Sequence, residues 1–314
     1  MDGVDVGFSN PIGGLVGPFA AVDRGGDSDM LARPAEESRG GDQQGVSMRL
    51  SGKRVLVLGA SSGLGKASAI EIAREGGRIC VAARRVDRLE ETVAEAGSDA
   101  FARVCDVRDE ASCQRVVEAA VAELGGLDAV VYAPGISTFG PIEEIQQADW
   151  RAVLETNLIG VSLILNAAIG PLEATRGKCV VISSIVIDDS PPRPNQATYV
   201  VSKVALEALI AAWQGEHRGV AFTSIATGDT LSEFGLGHDL DKLIPITQRW
   251  SELEYLYGRM MEPGAVAEQV VNALAARETI RRIAITPSFP DQANDKGADW
   301  AATAIDQQRE GEPK

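Results

Sequence analysis

Short runs of apolar residues punctuate the chain from Arg54 onward. They are Arg54–Leu58, Arg78–Ala83, Phe101–Cys105, Leu127–Tyr132, Lys178–Ile182, Val220–Ile225 and Arg282–Thr286. The first, RVLVL, is continuously apolar after its arginine, which is the pattern of a parallel strand buried on both faces. The segments between these runs carry a helical period instead. They are Lys66–Glu75, Asp87 to about Ala96, Asp109–Leu124, Asp149 to about Leu172, the stretch around Tyr199 and Lys203, and residues 263–276. In Asp109–Leu124 the apolar stripe is Val116, Val117, Ala120, Val121 and Leu124, one face of a helix. Before Met48 the pattern disappears. Residues 1–47 are rich in Gly, Asp, Ser and Pro, which predicts a disordered extension. Either Met48 is the translation start or the extension is an appendage. Residues 290–314 read as a polar tail with an isolated Trp300, to which no function is assigned.

The turn after the first strand is Gly59-Ala-Ser-Ser-Gly-Leu-Gly65, and a helix and a second strand follow within about thirty residues. That order makes a βαβ nucleotide-binding unit. Gly59, Gly63 and Gly65 let the backbone turn tightly and approach a pyrophosphate. Ser61, Ser62 and Leu64 lie in the same turn, and the helix N-terminus presents N–H groups to the anion. The alternative is a glycine turn needed only for helix–strand packing. At the end of the second strand, Ala83 stands where an acid would bind the ribose hydroxyls of NAD, and Arg84 and Arg85 follow. Arginine forks suit a 2′-phosphate, so NADP(H) is expected in preference to NAD(H). The bland reading makes them solvated surface arginines. Lys66 is near the turn but reads as lying on an exposed helix face.

Composition narrows the classes. The 314 residues are 45% hydrophobic and 24% charged with a net charge of −15, which fits one large domain or two small ones. The acidity argues against a nucleic-acid or anionic-membrane partner. No apolar run reads as long enough to span a membrane, and no secretory signal is seen, so a cytoplasmic protein is expected. Cys80, Cys105, Cys113 and Cys179 form no CxxC pair and read as buried reduced thiols. His217 and His238 have no metal-ligand spacing, and no metal site is expected.

Several residues carry candidate chemistry. Tyr199 and Lys203 lie four apart, on one face of a helix. A lysine ammonium beside a phenol favours the phenolate and would tune it as an acid or base near neutrality. Two exposed polar residues on an amphipathic helix is the alternative. Ser183-Ser184 end a strand at the crevice where open α/β sheets bind ligands. Asp106 ends another, where it would reach an adenine amino group or cap the helix starting near Asp109. Asn157, inside an apolar helix, would hold a water or a bent carbonyl, or be satisfied by backbone. The small residues of Ala133-Pro-Gly135 let a flat ligand approach the backbone.

Taken together, Gly59-xxx-Gly63-x-Gly65, Asp106, Asn157, Ser184 and Tyr199-xxx-Lys203 resemble the short-chain dehydrogenase/reductase superfamily, in its classical type, over residues 50 to 289. The resemblance implies a single α/β domain, a Rossmann-like doubly wound parallel sheet with helices on both faces. It also implies NAD(P)-dependent interconversion of an alcohol and a carbonyl. Tyr199 would then exchange the hydroxyl proton and Ser184 would hold the substrate oxygen. Lys203 would bind the nicotinamide ribose and lower the tyrosine pKa, and Asn157 would anchor a relay water. Asp106, Val107, Ala133, Gly135, Gly228 and Thr230 would complete the cofactor site around the glycine turn. The resemblance further implies a homodimer or homotetramer paired through the helices at 149–172 and 200–213. Departures from the family pattern are Leu58, Tyr132-Ala-Pro-Gly135 and Thr227-Gly228, and a long Ser184–Tyr199 interval containing Asp188-Asp189, which keeps Ser183 as an alternative to Ser184. A cofactor-sensing or scaffold protein on the same fold is the competing function. Residues 229–262 correspond to a variable substrate lid whose apolar residues suit an apolar substrate. Its stripe Trp250, Leu253, Leu256 and Met260 is equally readable as ordinary packing or a subunit contact.

Overall fold

The computed structural model describes residues 48–232, 234 and 240–288. The expectations for residues 1–47, Leu236, His238 and 290–314 lie outside the described residues. The strands are β1 (Arg54–Leu58), β2 (Arg78–Ala83), β3 (Ala100–Val104), β4 (Ala129–Tyr132), β5 (Lys178–Ser184), β6 (Ala221–Thr227) and β7 (Arg282–Ile285). They form one sheet in the order β3-β2-β1-β4-β5-β6-β7, with every neighbouring pair parallel. The order reverses between β1 and β4, which opens a crevice at their C-terminal ends.

Both faces of the sheet are covered, which explains the continuous apolar runs. Leu56, Leu58, Val130, Cys179, Val181 and Phe222 pack beneath α3 (Glu110–Leu124), α5 (Gly160–Thr175) and α6 (Ala197–Glu216). The alternate residues Val55, Val57, Ile79, Val131, Val180 and Ile225 pack beneath α1 (Gly63–Arg74), α2 (Val86–Ala96) and α8 (Pro263–Ala275). Each such wholly buried side chain contributes about 1.5–3 kcal/mol by leaving water. The helix ends follow local chemistry. Asp109 accepts the Ser112 N–H at 2.8 Å to start α3, and Gly125, at φ 79°, ends it in the left-handed conformation. The cap is thus Asp109 and not Asp106. Lys66, expected on an exposed face of α1, is half-buried and pairs with Glu95 at 2.8 Å. All four cysteines are buried and free.

Three expectations change. First, the long helix predicted from Asp149 is α4 (Gln147–Leu154), a π-helical segment at Glu155–Ile159, and α5. Second, this continuous helical stretch, Gln147–Thr175, is long and apolar enough to cross a membrane by length and composition, contrary to the sequence reading. The reason is its place in the fold: Val161, Ile164, Leu165, Ala168 and Leu172 serve as core against the sheet. Third, the helix carrying Trp250, α7 (Leu240–Glu252), stops before Leu253, so the supposed stripe through Met260 is not one helix face. Trp250 is buried and Leu253 exposed.

Candidate active site

The turn after β1 is shaped by what its glycines lack. Gly59 sits at φ 75°, and a Cβ there would come within 2.8 Å of the Pro134 nitrogen. A Cβ on Gly65 would collide with the Gly59 carbonyl oxygen. Gly63, at φ 51°, opens α1 beneath Ser232. Ser62 precedes α1 without a side-chain cap, and the first turn holds no acidic residue, so the positive helix end is left for an anion. This cradle fits a dinucleotide pyrophosphate. At the end of β2, Arg85 Nη2 donates to Ser62 Oγ at 2.8 Å and to Ser61 Oγ at 3.1 Å, which brings its guanidinium over the turn. Arg84 lies exposed, within electrostatic range of Asp106. The Asp106 carboxylate is held by two guanidinium nitrogens of Arg108, Nε at 3.0 Å and Nη2 at 2.7 Å, and this pairing lowers its pKa to about 2. Its carboxylate therefore already has a partner other than the adenine expected from sequence. Val107 is buried behind it.

Across the crevice, Gly135 faces Lys203 Nζ and Asn157 Oδ1, at 3.8 and 3.9 Å from where its Cβ would be. Both ends of the Asn157 amide are bonded. Its Oδ1 accepts the Ile136 N–H at 2.9 Å, and its Nδ2 donates to Ile136 O at 2.9 Å and to Ser202 Oγ at 3.0 Å. These bonds brace the loop after β4, with Ile136 backbone and the Ser202 hydroxyl as partners. Tyr132, which departs from the family pattern, has its own role. Its hydroxyl donates to Thr156 O in the π-helical segment at 2.6 Å, and Gly160 makes room for it: a Cβ there would lie 2.5 Å from Tyr132 Oη. Sequence reasoning missed this pairing, although an in-register tyrosine at the end of a buried strand must find a hydrogen-bond partner.

Tyr199, Ser184 and Lys203 come together at the C-terminal ends of β5 and α6's first turns. Ser184 lies close enough to the Tyr199 phenol to favour its ionised form. Ser183, on the opposite side of the strand, is wholly buried and has no hydrogen-bond partner for its Oγ. Lys203 Nζ donates to Ile182 O at 2.8 Å and lies 5.5 Å from the Tyr199 ring centroid. The groups that pull the tyrosine pKa down are Ser184 and Arg193, not the lysine expected from sequence, and burial outweighs them. Burial pushes Tyr199 up to about 12 and Lys203 down to about 8, because removing either charge from water costs more than its neighbours return. On the far side of the crevice, Gly228 N–H donates to Ile285 O at 2.8 Å, and Thr230 Oγ1 donates back to Gly228 O at 2.8 Å. Ala133 follows β4, its N–H bonded to Leu58 O.

Two charged residues that the sequence reading did not single out also reach this site. Arg193, only 3% exposed in its side chain, donates from Nε to Asp189 at 2.7 Å and from Nη1 to Asp229 at 3.1 Å. Both Arg193 and Asp229 act electrostatically on the Tyr199 phenol. The i,i+4 spacing of Asp189 and Arg193 was visible; Asp229, from the loop after β6, was not. Aromatic rings enclose the phenol: Phe234 meets the Tyr199 ring edge-on at 4.9 Å, and Phe139 packs on Phe234 and Trp250.

A doubly wound parallel sheet with a glycine cradle at its switch point, and a buried tyrosine, serine and lysine beside it, defines a dinucleotide-dependent oxidoreductase. The short chain dehydrogenase family model matches residues 53–238, and the chain belongs to that family. It is 35% identical to D-threitol dehydrogenase of Mycolicibacterium smegmatis over 217 residues, 63% of this chain and 80% of that protein. It is 29% identical to glucose 1-dehydrogenase of Gluconobacter oxydans over 186 residues, 57% of this chain and 70% of that one. Among solved structures it resembles an alcohol dehydrogenase from the archaeon Thermococcus sibiricus complexed with 5-hydroxy-NADP, with a TM-score of 0.64 and 27% identity, over 76% of this chain and 99% of that chain. The chain is thus an NAD(P)-dependent oxidoreductase.

Proposed function

We propose that the chain interconverts an alcohol and a carbonyl with Tyr199 as the proton-exchanging group, and that it prefers NADP(H). The observation that carries this reading is the placement of the Tyr199 phenol between Ser184 and Lys203, at the crevice opposite the glycine cradle. NADPH, when bound, supplies the hydride. Gly59, Ser61, Ser62, Gly63, Leu64 and Gly65 hold its pyrophosphate, Ala133 and Gly135 leave room for a flat ring, and Gly228 and Thr230 line the opposite wall. Ser184 holds the substrate oxygen, Tyr199 gives it a proton in reduction and removes one in oxidation, and Lys203 supplies positive charge nearby. Asn157 keeps the Ile136 loop, and through Ser202 the Tyr199 backbone, in place. The rings of Phe139, Phe234 and Trp250 support a substrate with an apolar portion, covered by residues from 229–262.

Replacing Tyr199→Phe removes the exchangeable proton and leaves the ring. Carbonyl reduction should fall by about 10²–10⁴ in kcat/KM, with NADPH affinity, read by fluorescence quenching, unchanged. Turnover close to wild type refutes the assignment. For the cofactor, Arg85 is the residue whose fork lies over the cradle. Arg85→Ala should weaken NADPH about 10-fold or more and leave NADH nearly unaffected. A wild-type protein that binds NADH more tightly overturns the preference.

A further inference from the structure

We infer that Arg193 and Asp229 form a hydroxyl-recognition site beside Tyr199, so that the favoured substrate carries a second hydroxyl near the reacting carbon. This rests on the reading of Tyr199 as the proton-exchanging group and adds the class of substrate it serves.

Buried polar atoms in folded proteins nearly always have partners. Here two on touching side chains do not. Arg193 spends Nε on Asp189 and Nη1 on Asp229 Oδ1, which leaves Nη2, a donor, with nothing to donate to. Asp229 spends Oδ1 on Arg193, which leaves Oδ2, an acceptor, with nothing to accept. A third orphan, Gln196 Oε1, lies one helical turn before Tyr199. These atoms are held firmly. The guanidinium lies 5.8 Å from the Trp250 ring centroid and 6.0 Å from that of Tyr255. Trp250 Nε1 and the Tyr255 hydroxyl donate to the carbonyls of Pro194 and Pro191, on either side of Arg193. A continuous run of ring contacts joins the pair to the phenol: Arg193 lies over Trp250, Trp250 meets Phe139, Phe139 meets Phe234, and Phe234 meets the Tyr199 ring.

The chemistry of the ligand follows from the leftover atoms. One free donor beside free acceptors is the complement of a hydroxyl, which gives one hydrogen bond and takes another. A carboxylate takes bonds only and would meet a cluster in which one guanidinium faces two carboxylates, Asp189 and Asp229, with a net charge of −1. An ammonium gives bonds only and would leave Nη2 unanswered while adding a like charge beside it. An aliphatic ketone or secondary alcohol without a second hydroxyl would leave both atoms orphaned. A site built to bond a hydroxyl discriminates strongly against the analogue that lacks it.

The test uses the full-length protein and matched four-carbon compounds. Reduction of 3-hydroxybutan-2-one is compared with butan-2-one, and oxidation of butane-2,3-diol and butane-1,3-diol with butan-2-ol and 2-hydroxybutanoate. The hydroxylated, uncharged members should lead in kcat/KM by about 100-fold or more. Asp229→Asn keeps the acceptor for Arg193 but turns the free acceptor into a donor. It should cut that lead at least tenfold, because kcat/KM for the diols falls far more than that for butan-2-ol, a split that a merely structural ion pair would not produce. Calorimetric titration of the NADP(H) complex with the same compounds reads the preference without turnover. Turnover in which butan-2-ol or 2-hydroxybutanoate equals or exceeds the diols overturns the inference and leaves the oxidoreductase reading standing. Preferential binding of the diols with no turnover overturns the role of Tyr199 and leaves the inference standing. Binding without preference overturns the inference.

Discussion

Burial drives Tyr199 and Lys203 in the same sense, each toward its neutral form, with opposite consequences for chemistry. Tyr199, raised to about 12, is held mainly in its protonated form, the donor that reduction needs. Lys203, lowered to about 8, loses its charge just above neutrality. The kcat/KM for carbonyl reduction, which reports the free enzyme, should therefore hold steady near pH 7 and fall through an inflection near 8. A profile that stays flat to about pH 10 contradicts this. The same shift has a sign for stability. The folded pKa of Lys203 lies below its ordinary value of 10.5, so the unfolded chain binds the proton more tightly. The lysine thus costs stability fully below about pH 8, and the cost fades as pH rises toward its ordinary value. Lys203→Met should raise the melting temperature at pH 7, raise it less at pH 10, and abolish efficient turnover at both. That is the signature of a group kept for function.

Among the elements, the π-helical segment is the least legible from sequence and the most consequential locally. Apolar runs buried on two faces gave away the strands, and Gly59, Gly63 and Gly65 gave away the cradle, because a parallel sheet and a tight phosphate turn each demand a local composition. The π-helical segment is bonded instead by Tyr132, which meets Thr156 across 24 residues, a contact no periodicity encodes. The same holds for Arg193. Its bond to Asp189 lies within one helical turn of sequence, while its bond to Asp229 spans 36 residues. The expected stripe through Met260 failed for the complementary reason, since spacing alone cannot show that α7 ends at Glu252. Tyr132→Phe should cost about 1–3 kcal/mol, because it leaves a buried carbonyl without its donor. Denaturant unfolding reads that loss. A loss of carbonyl-reduction activity larger than the loss of folded protein would show that the segment also holds Asn157 in register.

For the molecule as a whole, the outer surface of α6 is the feature that one copy leaves unused. Val201 and Val204 are about half exposed, at 47% and 51%, and Ile159 in the π-helical segment is exposed at 47%. Exposed apolar side chains on neighbouring helices support the proposal that copies of this chain pair through this face. Val204→Glu places a charge there without touching the crevice. It should shift the light-scattering mass toward the monomer and change the melting temperature of the monomeric species little. An unchanged mass at micromolar concentration places the pairing surface elsewhere.

The seating of the Tyr132 hydroxyl in the space left by Gly160 ties two positions into one mutational unit. Gly160→Ala meets the phenolic oxygen first and the Val107 carbonyl next, at 2.5 and 2.9 Å from the added carbon. Its cost should therefore shrink, without vanishing, once Tyr132→Phe has removed that oxygen, a departure from additivity that a double-mutant cycle measures directly. The route by which this chain acquired or could shed its tyrosine is thus ordered. The glycine has to be in place before the tyrosine is tolerated, and the tyrosine has to go before the cost of changing the glycine eases.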